Sequence, residues 1–224
     1  MAPGPGTALA AESLLLQGPA GDLETRLDFP AADRGADPAA PAAFAVVCHP
    51  HPLFGGTLTN KVVHTLARTF NDLGMPSLRF NFRGVGASAG THDEGRGEVQ
   101  DALAVVRHGR ERWPQARLWL AGFSFGAAVA VRASSEASAV GLVAVAPAVD
   151  RIDVGAVTPG SAWLVVLGDA DDVVSPQRML QWARNLSPQP VIQVMAGAGH
   201  YFHGRLPELR DAVTAFVNQR PGKT

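Results

Sequence analysis

A serine framed by glycines, Gly122-Phe123-Ser124-Phe125-Gly126, stands directly after an apolar run and directly before a stretch of small residues. A nucleophile held on a sharp strand-to-helix turn needs this context. Main chain passes close to main chain there, so the positions two residues either side of the serine must lack bulk. A serine hydroxyl is a poor nucleophile near neutral pH and requires a base within hydrogen-bond reach, which in turn needs an orienting acid. Only two histidines, His200 and His203, follow Ser124. His200 ends the segment Ala196-Gly197-Ala198-Gly199-His200, five residues past an apolar run, where glycines let a loop swing an imidazole inward, and it is preferred to His203. Between serine and histidine, Gly168-Asp169-Ala170-Asp171-Asp172-Val173-Val174 supplies three aspartates just past another apolar run. The chemistry these residues can perform together is acyl transfer to Ser124.

Stabilising the oxyanion that forms in acyl transfer usually takes two N–H donors. The amide of Phe125, next after the nucleophile, is one. The second is expected in Cys48-His49-Pro50-His51-Pro52-Leu53-Phe54-Gly55-Gly56, where Pro50 and Pro52 have no N–H and the candidates narrow to His51 and Leu53. A strand ending at Cys48 favours His51. His49 and His51 also suggest a metal site, but no cysteine, carboxylate or third histidine stands at ligand spacing, so neither metal nor cofactor is expected.

The elements that must position these groups alternate. Apolar runs at Phe44–Cys48, Ser77–Phe82, Leu118–Ala121, Val140–Ala146, Trp163–Leu167 and Val191–Met195 read as buried strands. Helical periodicity covers Thr59–Leu73, Glu98–Arg112, the small-residue stretch from Ser124 through Arg132, Pro176–Asn185 and Leu206–Asn218. Strands of this kind alternating with helices predict an α/β fold, with a mostly parallel sheet covered on both faces and ligands at the carboxyl ends of its strands. Residues 1–21, rich in Ala, Gly and Pro, read as a flexible tail, Leu23–Phe29 as a short edge strand, and 22–220 as one domain.

A net charge of -1 gives no surplus of cations for a phosphate backbone or an anionic membrane, so neither is expected as a partner. Cys48 is the only cysteine, which suits a reducing compartment, and nothing resembles a signal-peptide core or a spanning run of about 18 apolar residues. A cytoplasmic location follows as the expectation. Arg83-Gly84-Val85-Gly86-Ala87-Ser88-Ala89 formally satisfies a dinucleotide-binding pattern. However, Gly90, Gly95 and Gly97 intervene before helical periodicity resumes, leaving no helix N-terminus to take a pyrophosphate.

From Phe44 to Phe216 the chain resembles the α/β-hydrolase superfamily. The Arg83–Ser88 loop, the serine turn, and Gly168–Val174 with Gly199-His200 occur in its order. The His49–Gly56 segment and Arg79-Phe80-Asn81-Phe82-Arg83-Gly84 are similar to a branch of small bacterial hydrolases usually described as predicted esterases. The resemblance implies a Gly-x-x-Asp-x-x-Val acid, which here selects Asp171 with Gly168 and Val174. The usual His-Gly after the first core strand is His-Pro in this chain. Family members often insert a lid after the strand that follows the serine helix. The fifteen residues Pro147–Ser161 are too few for a helical one, and an open, shallow site is expected. The resemblance thus implies hydrolysis of small carboxylic esters with short or varied acyl chains. A peptidase or thioesterase using the same three residues, or a binding module that has kept the fold without catalysis, are the alternatives.

Overall fold

A computed structural model describes residues 11–32, 37–152, 154 and 162–219. Among these residues eight strands form one sheet: β1 (Ala11–Gly18), β2 (Gly21–Asp28), β3 (Ala43–Cys48), β4 (Ser77–Phe80), β5 (Arg117–Phe123), β6 (Gly141–Val145), β7 (Ala162–Gly168) and β8 (Val191–Met195). Their order is β1-β2-β4-β3-β5-β6-β7-β8. From β4 to β8 all neighbours are parallel, and β1 and β2 join as an antiparallel hairpin. The central strands β3 and β6 are buried at every position, which is why their sequences read as unbroken apolar runs.

Among the described residues five helices cover the sheet: α1 (Lys61–Asp72), α2 (Arg96–Arg112), α3 (Phe125–Ser134), α4 (Pro176–Arg184) and α5 (Leu206–Asn218). Asn60 caps α1 by accepting from the amides of Val62 and Val63, at 2.9 and 3.4 Å. Ser175 caps α4, with Pro176 in the first turn. The α2 helix starts at Arg96, two residues before the expected boundary, because the buried carboxylate of Glu98 turns back and accepts from the Gly95 and Asp93 amides. Almost every residue of α3 is buried. A helix enclosed on all sides must approach its neighbours closely, and Gly126, Ala127, Ala128 and Ala130 make that approach possible.

The N-terminus corrects the sequence expectation. Residues 11–18, assigned to a flexible tail, are strand β1, paired with β2 from Ala11↔Asp28 to Gly18↔Gly21. Glu12, Leu14 and Leu16 are the more buried positions and their neighbours are exposed, a period of two that lies concealed in a stretch dominated by Ala, Gly and Pro. The rest of the expected tail, residues 1–10, lies outside the described residues. Among the described residues no helix is long and apolar enough to cross a membrane.

Candidate active site

Ser124 occupies the junction between β5 and α3 with φ 55° and ψ -118°, a conformation rare for any residue with a Cβ. The surrounding main chain holds it there. The Ser124 amide donates to the Val145 carbonyl of β6 at 2.9 Å, and its carbonyl accepts from the amides of Ala127, Ala128 and Ala148. Strain of this kind persists only where neighbours over-determine it. The flanking glycines are required by crowding: a Cβ on Gly122 would lie 2.3 Å from the Gly126 carbonyl oxygen, and one on Gly126 would lie 2.3 Å from the His49 carbonyl oxygen. Both obstacles are backbone.

The three groups that the sequence brought together are joined by hydrogen bonds. His200 Nε2 lies 3.0 Å from Ser124 Oγ, and His200 Nδ1 lies 2.8 Å from Asp171 Oδ2. The other Asp171 oxygen accepts from the amides of Val173 and Val174, at 2.9 and 2.8 Å. Burial alone would raise the pKa of this carboxyl. The hydrogen bonds from His200, Val174 and Val173 outweigh burial and hold it below the usual carboxylate range. An ionised Asp171 fixes the proton of His200 on Nδ1, so Nε2 is free to accept the serine proton. The neighbouring aspartates do other things: Asp169 accepts from the Gly197 amide at 2.6 Å, and Asp172 is exposed. His203 is exposed and stacks on Tyr201.

The loop after β3 carries the two candidates for the second donor, His51 and Leu53. His49 is fully buried, and burial pushes its pKa down to about 4, so the ring is neutral. Its Nδ1 donates to the Pro50 carbonyl at 2.6 Å, and its Nε2 accepts from the Phe82 amide at 2.9 Å, which pins the loop to the chain after β4. His51 precedes a single 3₁₀ turn, Pro52–Phe54, and its Nδ1 accepts the Leu53 amide at 3.2 Å. The Leu53 N–H is thus engaged as a turn cap, and its side chain is 68% exposed. Among the described residues the His51 amide has no hydrogen-bond acceptor, and the Phe125 amide lies in the first turn of α3, where an N–H has no intrahelical acceptor. Burial, chiefly, and the nearby His92 lower the pKa of the His51 ring, which packs against His92 and Phe125.

A cavity of about 780 Å³ opens over Ser124 and His200 at the carboxyl ends of the strands. Phe54, Phe125, Ile152, Val173 and Tyr201 give it apolar walls, and Arg96, Arg132 and Arg151 bring charge. These arginines, with His92 and Glu98 behind them, have no signal in the sequence, because α3, α2 and the segment after β6 meet only in the fold. Part of the β6–β7 connection, residues 153 and 155–161, lies outside the described residues. Among the described residues no group of three His, Cys, Asp or Glu side chains is placed to hold a metal ion.

The comparisons with known proteins agree with this architecture. The family described as serine aminopeptidase, S33, matches residues 41–163. XC6422 from Xanthomonas campestris, described as an α/β serine hydrolase without a lid, is 40% identical. The match covers 96% of this chain and 97% of that one, with a TM-score of 0.89. An α/β serine hydrolase homologue from Coxiella burnetii is 42% identical over 93% of this chain and 97% of its own, with a TM-score of 0.84. An uncharacterized protein of Rickettsia prowazekii is 33% identical over 215 residues, 91% of this chain and 87% of its own. Elbow, sheet and relatives lead to one conclusion: the chain belongs to the serine aminopeptidase S33 family of the α/β-hydrolase superfamily and is a serine hydrolase of the lidless kind.

Proposed function

We propose that the protein hydrolyses small carboxylic esters by acyl transfer to Ser124. The observation that carries this reading is the unbroken relay from Ser124 Oγ to His200 at 3.0 Å and from His200 to Asp171 at 2.8 Å. His200 takes the serine proton as Oγ attacks the ester carbonyl, and the amides of Phe125 and His51 receive the oxyanion. His200 then returns the proton to the departing alkoxide. Water, activated by the same imidazole, attacks the acyl-enzyme and releases the acid. Asp171, held ionised, stabilises the imidazolium in both halves of the cycle.

The charge of the cavity favours esters over the aminopeptide substrates that the family description suggests. An aminopeptidase must offer a free carboxylate to its substrate's ammonium group. Among the described residues the cavity is lined by one carboxylate, that of Glu94, and it faces Arg96 at 3.4 Å. A cytoplasmic location belongs to the same proposal and rests on the single cysteine, Cys48, whose thiol is buried and pushed far up in pKa by that burial.

A panel of p-nitrophenyl esters from acetate to palmitate tests the reading. Turnover is expected to be greatest on short and medium chains and to vanish in Ser124→Ala. Activity confined to long chains, or a mutant as active as the wild type, overturns it.

A further inference from the structure

The cavity over Ser124 carries positive charge that the reaction itself does not use. Three guanidinium groups line it, from Arg96, Arg132 and Arg151. Arg96 is neutralised locally, with Asp93 at 2.7 Å and Glu94 at 3.4 Å. The other two are not. Arg151 donates to the Val173 carbonyl at 2.9 Å, a neutral partner, and has no carboxylate among the described residues. Arg132, only partly exposed, has no hydrogen-bond or ion-pair partner among the described residues. Its Nη1 rests over Gly95, where an added Cβ would lie 3.3 Å away, and Ile152 packs against the same glycine. A guanidinium offers five donors in a fixed fork and is matched by a carboxylate or phosphate, so two that lack an acid in one substrate cavity amount to an anion receptor.

The geometry points to a substrate that carries a carboxylate at a distance from its scissile ester, held by Arg132 and Arg151 while Ser124 attacks. This inference rests on the ester-hydrolase reading above and specifies its substrate class. Arg132 lies eight residues beyond Ser124 on α3, roughly 12 Å along the helix axis, and helical side chains lean back toward the N-terminus. The distance from ester to anion therefore spans several bonds, and the intervening chain can pass over the apolar walls formed by Ile152 and Val173. A carboxylate on either side of the ester fits this description.

Two matched pairs of substrates read out the preference and its side. The mono-p-nitrophenyl ester of adipate against p-nitrophenyl hexanoate places the charge on the acyl side. The pair 4-acetoxybenzoate and 4-acetoxybenzamide places it on the alcohol side. In at least one pair the anionic member is expected to show about tenfold or more higher kcat/KM, a preference that weakens as salt is raised. Arg132→Gln and Arg151→Gln are each expected to reduce the anionic-to-neutral ratio by about tenfold. Arg151 is exposed, so its variant also reads the effect free of any folding defect. If the neutral member is preferred in both pairs, or the ratio survives both substitutions, the inference falls while the ester-hydrolase reading stands. If folded protein turns over none of the four compounds, both fall.

Discussion

Two glycine-rich turns follow neighbouring parts of the same sheet and come to opposite ends. The first runs from Arg83 to Ala89 after β4, and the second is the Gly122–Gly126 elbow after β5. In the first, the amides of Arg83, Gly84, Val85, Ala87, Ser88 and Ala89 all have acceptors: Asp101, Ala89, Phe82, Glu24, Val85 and Asp22 respectively. Its Gly86 makes room for side chains that bolt β2 to the chain after β4, with Asn81 donating to Glu24 at 2.7 Å and accepting from the Leu58 amide at 2.8 Å. Arg83 adds a salt bridge to the buried Asp101 at 2.7 Å. Among the described residues only the Gly86 amide of this turn has no acceptor, so no cluster of donors is left for an anionic ligand. In the elbow the glycines make room for backbone, and the turn leaves the Phe125 amide uncommitted beside a strained serine. Glycine spacing after a strand thus identifies a tight turn; what the turn does with its N–H groups decides whether it is a bolt or a site.

Substitutions at the two turns separate these roles. Gly126→Ala drives a Cβ into the His49 and Cys48 carbonyl oxygens, at 2.3 and 2.5 Å, and neither can move without breaking β3 from its loop. The largest loss is expected here: destabilisation by more than about 4 kcal/mol, seen in thermal denaturation as a protein that no longer unfolds cooperatively. Glu24→Ala removes the acceptor of both the Asn81 side chain and the Ala87 amide, and about 2–3 kcal/mol of stability is expected to go with it. Gly86→Ala meets only the ends of the Glu24 and Asn81 side chains, at 2.3 and 2.6 Å, together with a φ of 57°. A cost of about 1–2 kcal/mol is expected, measurable by urea denaturation, with turnover of the proposed ester substrates retained. A Gly86→Ala protein as damaged as Gly126→Ala would erase the distinction between the turns.

An effect of similar size, but dependent on pH, concerns the pin between them, His49. Its folded pKa of about 4 lies below the ordinary 6.5, so between those values the unfolded chain takes up a proton that the folded chain refuses. Stability is therefore fully present above about pH 6.5 and falls as the pH drops toward 4. From pH 7 to pH 5 this one group is expected to cost about 2 kcal/mol. The difference between wild type and His49→Asn in urea denaturation at the two values isolates it. Equal slopes would show that the ring is protonated inside the fold.

How much of this was legible in the sequence follows from how local each determinant is. The meeting of Ser124 and His200 was legible because the elbow, the apolar strand before it, the small-residue helix after it and the order of the groups are all written within short stretches. Asp171 needed the family resemblance, since three aspartates share one loop and only the fold shows that Asp169 caps Gly197 while Asp171 faces His200. A side-chain cap on the Leu53 amide, which spacing does not reveal, supports the proposal of His51 over Leu53 as the second donor. Strand β1 was hidden by composition, although the alternation of Glu12, Leu14 and Leu16 was there to be read. Arg132 and Arg151 left no trace, because a charge becomes unpaired only when elements distant in sequence surround it.

The central claim is that Ser124 is the nucleophile and that His200 activates it. The most direct measurement is intact-mass and peptide mapping of the protein after reaction with a fluorophosphonate. One adduct, on the peptide containing Ser124, is predicted, with none on Ser124→Ala and labelling slowed about a thousandfold or more in His200→Ala. An adduct on another residue, equal labelling of Ser124→Ala, or a wild type left unmodified would contradict the account.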